Sequence, residues 1–225
     1  LAARAPRRLR DMLLKPAIRA LPVSEKNWSL DYRLKRFVDG LDYDEWERHF
    51  VWIGGLAPDR HASLLEPAFY AAADPNPLDD VARLRRGWVS AADPLDTLTY
   101  LYSKLYLADG VLTKVDRASM AVGLEVRAPL LSEAVITTCA RIPSALKLRG
   151  KSTKWILRRA LAGKVPSAIL DRPKKGFGLP LTGWLKGPLM PLLQEHLDAA
   201  DLRTQAIFKA ESCEKLLHEH RMGWR

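Results

Sequence analysis

Leu112-Thr113-Lys114-Val115-Asp116-Arg117-Ala118-Ser119-Met120-Ala121 decides the structural class of this chain. The stretch has no strand alternation and no breaker, and its composition predicts a helix with Asp116 and Met120 one turn apart on one face. Asp116 and Arg117 are adjacent, point in different directions and each need a partner. Helical signals continue outward from it. Leu95 to Leu107 reads as a strong apolar helix, and Asp109-Gly110 is flanked by helical patterns rather than strands. Downstream, Leu192–Gln205 and Ala210–Met222 read as two closing surface helices. Upstream, Arg4 to Ala20 is helical but interrupted by Pro6 and Pro16, and Ser29 to Phe37 is a short helix capped near Ser29 or Asp31. Tyr43 to Trp52 carries Tyr43, Trp46, Phe50 and Ile53 at helical spacing, a stripe expected to face a core. Prolines punctuate short helices between Leu56 and Pro94. A mainly α chain follows, organised as a helical region 1–94, a motif-dense block 95–190 and closing helices 191–225, expected to form one structural unit.

The chain has 225 residues, 48% hydrophobic and 28% charged, which excludes whole-chain disorder and allows a core without disulfide or metal staples. No apolar run approaches the roughly 18 residues of a membrane span. The opening LAARAPRRLRDMLL lacks the apolar stretch of a signal peptide, so a cytoplasmic protein is expected. Cys139 and Cys213 have no partner at metal-ligand spacing and are expected to be buried free thiols; no metal site is expected.

Lys and Arg number 36 against 26 Asp and Glu, a formal charge of +10. Ten basic residues and one acid, Asp171, lie between Lys147 and Lys175, a net +9. A smaller basic excess opens the chain, where Arg4, Arg7, Arg8, Arg10, Lys15 and Arg19 face only Asp11. The larger cluster calls for an anionic partner: a nucleotide polyphosphate, an acidic substrate or nucleic acid.

Three segments carry this chemistry. In Leu124-Glu125-Val126-Arg127-Ala128-Pro129 the proline holds Ala128 extended, so Glu125 and Arg127 project to one side, as expected of a buried structural ion pair. In Gly150 to Leu161, Gly150 and Ser152 look like a helix start, with Lys151, Lys154 and Arg158 on one face. Cations in a first turn oppose the helix dipole, and they become sensible if a phosphate-like anion docks there. In Val165 to Pro180 a short helix runs into Arg172-Pro173-Lys174-Lys175-Gly176-Phe177-Gly178, a cationic loop able to approach a ligand.

Taken together, these segments resemble the synthetase region of the glutamine-hydrolysing asparagine synthase family. The matching residues are Tyr106-Leu107, Asp109, Lys114 to Ala121, Leu124 to Arg127, Pro129, Lys154, Leu157-Arg158, Val165-Pro166, Arg172 to Lys174, Gly176-Phe177, Pro180 and Trp184. The resemblance implies the helical C-terminal part of a PP-loop α/β synthetase domain whose parallel sheet lies upstream. It also implies a reaction: ATP with Mg2+ adenylates a carboxylate, aspartate by default, and ammonia from an upstream glutaminase displaces AMP. Lys154 is then the catalytic candidate at the polyphosphate, with Lys151 as the fallback. Arg172, Lys174 and Lys175 become supporting cations, and Asp116, Arg117, Glu125 and Arg127 hold the pocket wall.

The departures are equally specific. Ser132 and Tyr102 stand where the family pattern has acids. The chain has no Ser-Gly-Gly-x-Asp-Ser pyrophosphate loop, no Gly-x-Gly-Ala-Asp-Glu segment and no N-terminal Cys nucleophile. A piece of a longer enzyme, inactive alone, with metal ligands mainly outside it, is the expectation. A degenerate scaffold and a basic nucleic-acid-binding module are the alternatives; against the latter, nucleic-acid motifs and aromatic interleaving are absent.

Overall fold

Pro6 and Pro16 do not break the first helix. In the computed structural model, which describes residues 6–24, 29–73, 76, 78–87, 93–173 and 179–223, Pro6 stands at its N-cap and the chain winds helically from Arg7 to Arg19. A proline inside a helix lacks an N–H and crowds the carbonyl four residues before it. Immediately ahead of Pro16, Arg10–Leu14 widens into a π segment in which Lys15 N–H donates to Arg10 O. The wider turn absorbs the proline. Arg10 Nη1 donates to Leu41 O at 2.7 Å, Lys15 pairs with Asp11 at 2.6 Å and with Asp42, and Arg19 pairs with Asp39 at 3.6 Å. The counter-charges missing from the first twenty residues therefore come from Asp39 and Asp42.

The chain divides into two compact units, Leu1–Asp80 with Phe177–Arg225, and Val81–Gly176. These boundaries follow packing, whereas the sequence blocks at 94 and 190 follow motifs. In the first unit the Leu30–Asp39 helix is capped by Ser29, whose Oγ accepts from Tyr32 N–H. The next helix starts at Glu47 instead of Tyr43, because Asp44 accepts from the N–H groups of Trp46 and Glu47 at 2.8 and 2.7 Å. Val51 is its buried residue, and Ile53, assigned to the core by spacing, is 41% exposed. Trp52 stacks on Phe37 with centroids 6.0 Å apart and covers Gly40.

The stretch read as the first closing helix is two, Met190–His196 and Ala199–Gln205, separated where Asp198 accepts from Ala200 and Asp201 N–H. With Ala210–Arg221 they build core as well as surface: Leu202, Ala210 and Cys213 are buried together, with Leu64, Leu197 and Ala199 against them. Lys209 N–H donates to Leu64 O and Glu66 N–H to Ile207 O, both at 2.9 Å, stitching segments far apart in sequence. Burial pushes the Cys213 thiol pKa up. Cys139 is free but exposed, contrary to the expectation of burial.

In the second unit one long helix runs through Pro94–Leu101, a π segment Tyr102–Leu112 and Thr113–Met120. Asp109-Gly110 lies inside the π segment, and its turn propensity is overridden by helix on both sides. Asp93 caps the start by accepting from Leu95 N–H at 2.8 Å and from Ser144 Oγ, and one turn later Asp96 takes Lys147 Nζ at 2.6 Å. The segment Ser144–Lys147 is thereby held against the start of the long helix. Short helices Glu133–Arg141, Ser144–Lys147, Trp155–Leu161 and Ser167–Leu170 follow, with one two-stranded antiparallel hairpin. Mainly α composition agrees with the sequence reading, and no helix among the described residues is long and apolar enough to cross a membrane.

A methyl group on Gly40 would lie 2.3 Å from Trp52 Nε1 and 2.8 Å from Arg48 Cγ. Gly40→Ala is expected to destabilise the protein by about 1–3 kcal/mol through overpacking, measured by chemical denaturation. The hydrogen bond from Ser144 and the Leu95 N–H hold the Asp93 carboxyl below its usual pKa. A depressed folded-state pKa gives stability that is present above the ordinary carboxylate range and lost as pH falls through the folded value. Asp93→Asn should therefore flatten the fall in thermal stability below about pH 4, relative to the unsubstituted chain.

Candidate anion-binding site

Gly150 does not start a helix. It turns a hairpin: β1, Leu148–Arg149, pairs with β2, Ser152–Thr153, in the register Leu148↔Thr153 and Arg149↔Ser152. Gly150 takes φ 59° at the first central position, while Lys151 stays out of the positive-φ region. That combination suits a glycine-first two-residue hairpin turn. The helix begins only at Trp155, so Lys151 sits on a turn tip, Lys154 at the N-cap and Arg158 within the helix. The predicted common helical face of these three residues is not formed. A two-residue strand next to a glycine leaves almost no periodicity to read, which is why the sequence suggested a helix start.

Lys154 carries strain. Its backbone lies in the left-handed region at φ 56° and ψ 35°, one of two such non-glycine residues among those described. Non-glycine residues pay steric energy there, of order 1–2 kcal/mol. Lys151, Lys154 and Arg172 are exposed and make no ion pair among the described residues. Lys174 and Lys175 lie outside the described residues. Lys147 is different, being neutralised by Asp96.

The concave part of this unit has other walls. A cleft of about 730 Å³ opens between the Trp155–Leu161 and Ser167–Leu170 helices, lined by Ser152, Trp155, Arg158, Arg159, Lys164 and Asp171 among others. Arg158 Nη1 donates to Leu170 O and lies 3.4 Å from Asp171 Oδ1. The guanidinium carbons of Arg149 and Arg159 lie 5.0 and 5.8 Å from the Trp155 ring centroid. Arg159, Lys164 and Trp155 were not singled out as site residues from sequence. The signal available was the one-acid composition of the segment, which gave the charge but not its arrangement.

The pocket-supporting set is exposed. Glu125 and Arg127 do pair, at 2.8 Å on an extended segment, but their side chains are 69% and 84% exposed. The expected buried ion pair is thus a surface one, contributing at most about 1 kcal/mol. Its burial was misjudged because the apolar neighbours Val122, Leu124, Val126 and Leu130 are themselves 80%, 58%, 52% and 68% exposed. Asp116 and Arg117 are exposed on the Thr113–Met120 helix without ion-pair partners among the described residues. Tyr102, at a position where the family pattern has an acid, is half-buried edge-on to Tyr106 at 6.0 Å, and burial raises its hydroxyl pKa. Ser132 occupies the N-cap of the Glu133–Arg141 helix without a side-chain capping bond.

The asparagine synthase family profile matches residues 2–225. This chain belongs to the asparagine synthase family. A protein named putative asparagine synthetase [glutamine-hydrolyzing] from Mycobacterium tuberculosis strain H37Rv is 31% identical over 170 residues, covering 75% of this chain and 23% of that protein. Asparagine synthetase [glutamine-hydrolyzing] 1 of Bacillus subtilis strain 168 is 30% identical over 131 residues, 58% of this chain and 20% of that protein. The matched residues span between a fifth and a quarter of the length of these curated relatives. No solved structure matches it.

The left-handed backbone at Lys154 gives a test separable from chemistry. Lys154→Gly should be more stable than Lys154→Ala by about 1 kcal/mol, because glycine occupies this region without the Cβ clash. Paired denaturant midpoints measure the difference, and equal midpoints would contradict the strain.

Proposed function

We propose that this chain supplies the helical C-terminal part of a PP-loop α/β synthetase domain in an ATP-dependent, glutamine-dependent amidotransferase. The acceptor carboxylate, aspartate by default, is adenylated with release of pyrophosphate, and glutamine-derived ammonia then displaces AMP to leave an amide. The observation carrying this reading is the family match over residues 2–225, combined with the exposed cations Lys151, Lys154 and Arg172, which make no ion pair among the described residues. Cations held without protein counter-charge suit a polyphosphate, and strain in a non-glycine residue is often retained where a side chain must be aimed.

Within this reading Lys154 is the catalytic cation. Its ammonium offsets charge developing on the phosphate oxygens as the leaving group departs. Lys151, Arg172, Lys174 and Lys175 bind the polyphosphate, and Asp116, Arg117, Glu125 and Arg127 support the wall. The family's reaction implies Mg2+, which would offset negative charge on the polyphosphate when bound. No group of three or more His, Cys, Asp or Glu residues able to hold a metal occurs among the described residues. The described residues therefore do not fit such a site. The exposed apolar segment from Val122 to Leu130 supports packing against upstream PP-loop and glutaminase segments of the same protein, in the cytoplasm. Nucleic acid is a poorer partner, because the Trp155 ring beside the cations is already engaged by two guanidinium groups instead of being free to stack on bases.

In a full-length protein carrying this chain, aspartate-dependent ATP–pyrophosphate exchange is expected. Lys154→Ala should lower that exchange by about a hundredfold or more. Near-normal exchange in this variant removes Lys154 from the chemistry, and exchange without any dependence on aspartate moves the acceptor to another carboxylate.

A further inference from the structure

The cleft between the Trp155–Leu161 and Ser167–Leu170 helices is walled by none of Lys151, Lys154 or Arg172. Its charge comes from Arg158, Arg159 and Lys164, against the single carboxylate of Asp171. Local geometry concentrates these cations. Gly163, at φ 78°, lets the chain reverse after the first helix, and Lys164 and Val165 N–H both donate to Leu161 O at 3.0 Å. The reversal brings Lys164 back to the end of the helix that carries Arg158 and Arg159. Arg158 is committed to Leu170 O and Asp171, so Asp171 is already partly engaged. Arg159 and Lys164 have no ion-pair partner among the described residues.

Two further features make the cleft more than a helix end with favourable charges. Ser152 and Ser167 line it, and their hydroxyls have no hydrogen-bond partner among the described residues. The Trp155 ring, also in the wall, has the guanidinium carbon of Arg159 at 5.8 Å and that of Arg149 at 5.0 Å. Such cation–π contacts hold guanidinium groups in place without neutralising them. From Ile142 to Pro173 the sequence offers no acid other than Asp171 to do so. Like charges gathered in a concavity raise the local potential and favour an anion. The volume lies within the range of small-molecule sites.

We propose that this cleft is a binding site for a phosphate-bearing anion of nucleotide size or smaller, separate from the Lys151, Lys154 and Arg172 cations. Arg159 and Lys164 supply the charge, Ser152 and Ser167 donate hydrogen bonds, and Asp171 is an internal competitor that the anion displaces from Arg158. The proposal does not depend on the synthetase reading, since it concerns different residues and needs no turnover.

Isothermal titration of the chain with pyrophosphate, at low and at physiological salt, tests it without any activity assay. Folding of each variant is checked by circular dichroism. The double substitution Arg159→Gln with Lys164→Gln is expected to weaken binding by roughly tenfold or more. Asp171→Asn should tighten it by roughly threefold or more, because a competing carboxylate is removed. Lys104→Gln with Arg141→Gln, which removes the same charge from exposed positions outside the cleft, should leave the affinity within about twofold. Absence of binding overturns the proposal, as does an unchanged affinity in the Arg159, Lys164 pair. An equal loss from the Lys104, Arg141 pair overturns it too, because binding then follows net charge instead of the cleft. A competition arm with AMP separates the sources: displacement of pyrophosphate identifies a phosphate monoester as sufficient, and failure to displace it restricts the ligand to inorganic polyphosphate.

Discussion

Asp93 accepts two hydrogen bonds where the long helix begins, from Leu95 N–H and from Ser144 Oγ, and one turn on Asp96 takes Lys147. These contacts span 51 residues and join the start of the Pro94–Met120 helix to the segment leading into the hairpin. Much of the second unit depends on them, because its buried side chains among the described residues are few: Val81, Thr97 and Leu101. The Asp93 carboxylate satisfies an N–H that any helix start leaves open. The same group therefore ends one local problem and begins a long-range one. The hairpin and the short helices beyond it follow from a chain fixed at Ser144 and Lys147.

The legible part of the fold was the part governed by local periodicity. Ser29 before an amphipathic run gave a capped helix, and the apolar pattern around residues 95–107 gave the middle of the long one. What escaped was decided by single side chains or single backbone angles. Asp44 moves a helix start from Tyr43 to Glu47 by accepting two N–H groups, and Pro16 is absorbed by a π segment instead of ending its helix. Gly150 makes a turn because two residues on either side pair as strands, a contact too short to leave a pattern. The π winding through Asp109-Gly110 likewise depends on helix propagating from both sides, whereas turn propensity is a property of the pair alone.

At the candidate site the charge is legible from composition, whereas its partition among partners is legible only from the fold. Lys147 is neutralised by Asp96, Arg158 is tied to Leu170 O and Asp171, and Arg149 and Arg159 lie against Trp155. Lys151, Lys154 and Arg172 are left without ion pairs among the described residues. One cationic window therefore contains structural, cleft-lining and free groups, and net charge alone could not sort them. The Glu125–Arg127 pair shows the same limit from the other side. The spacing correctly placed both groups on one side of an extended segment, but whether such a pair is buried depends on what covers its neighbours, which spacing does not encode.

That cover is the remaining physical question for the second unit. Val122, Leu124, Val126 and Leu130 are more than half exposed on one continuous stretch, in a unit with three buried side chains among the described residues. Two of the unit's ion pairs do little to compensate: Glu125 with Arg127 is solvated, and Arg158 with Asp171 is 41% and 77% exposed. Apolar surface of this kind is stabilised when removed from water, at about 25 cal/mol per Å². A cover over residues 122–130 would also desolvate Glu125 and Arg127, strengthening their attraction while raising the penalty for any mismatch.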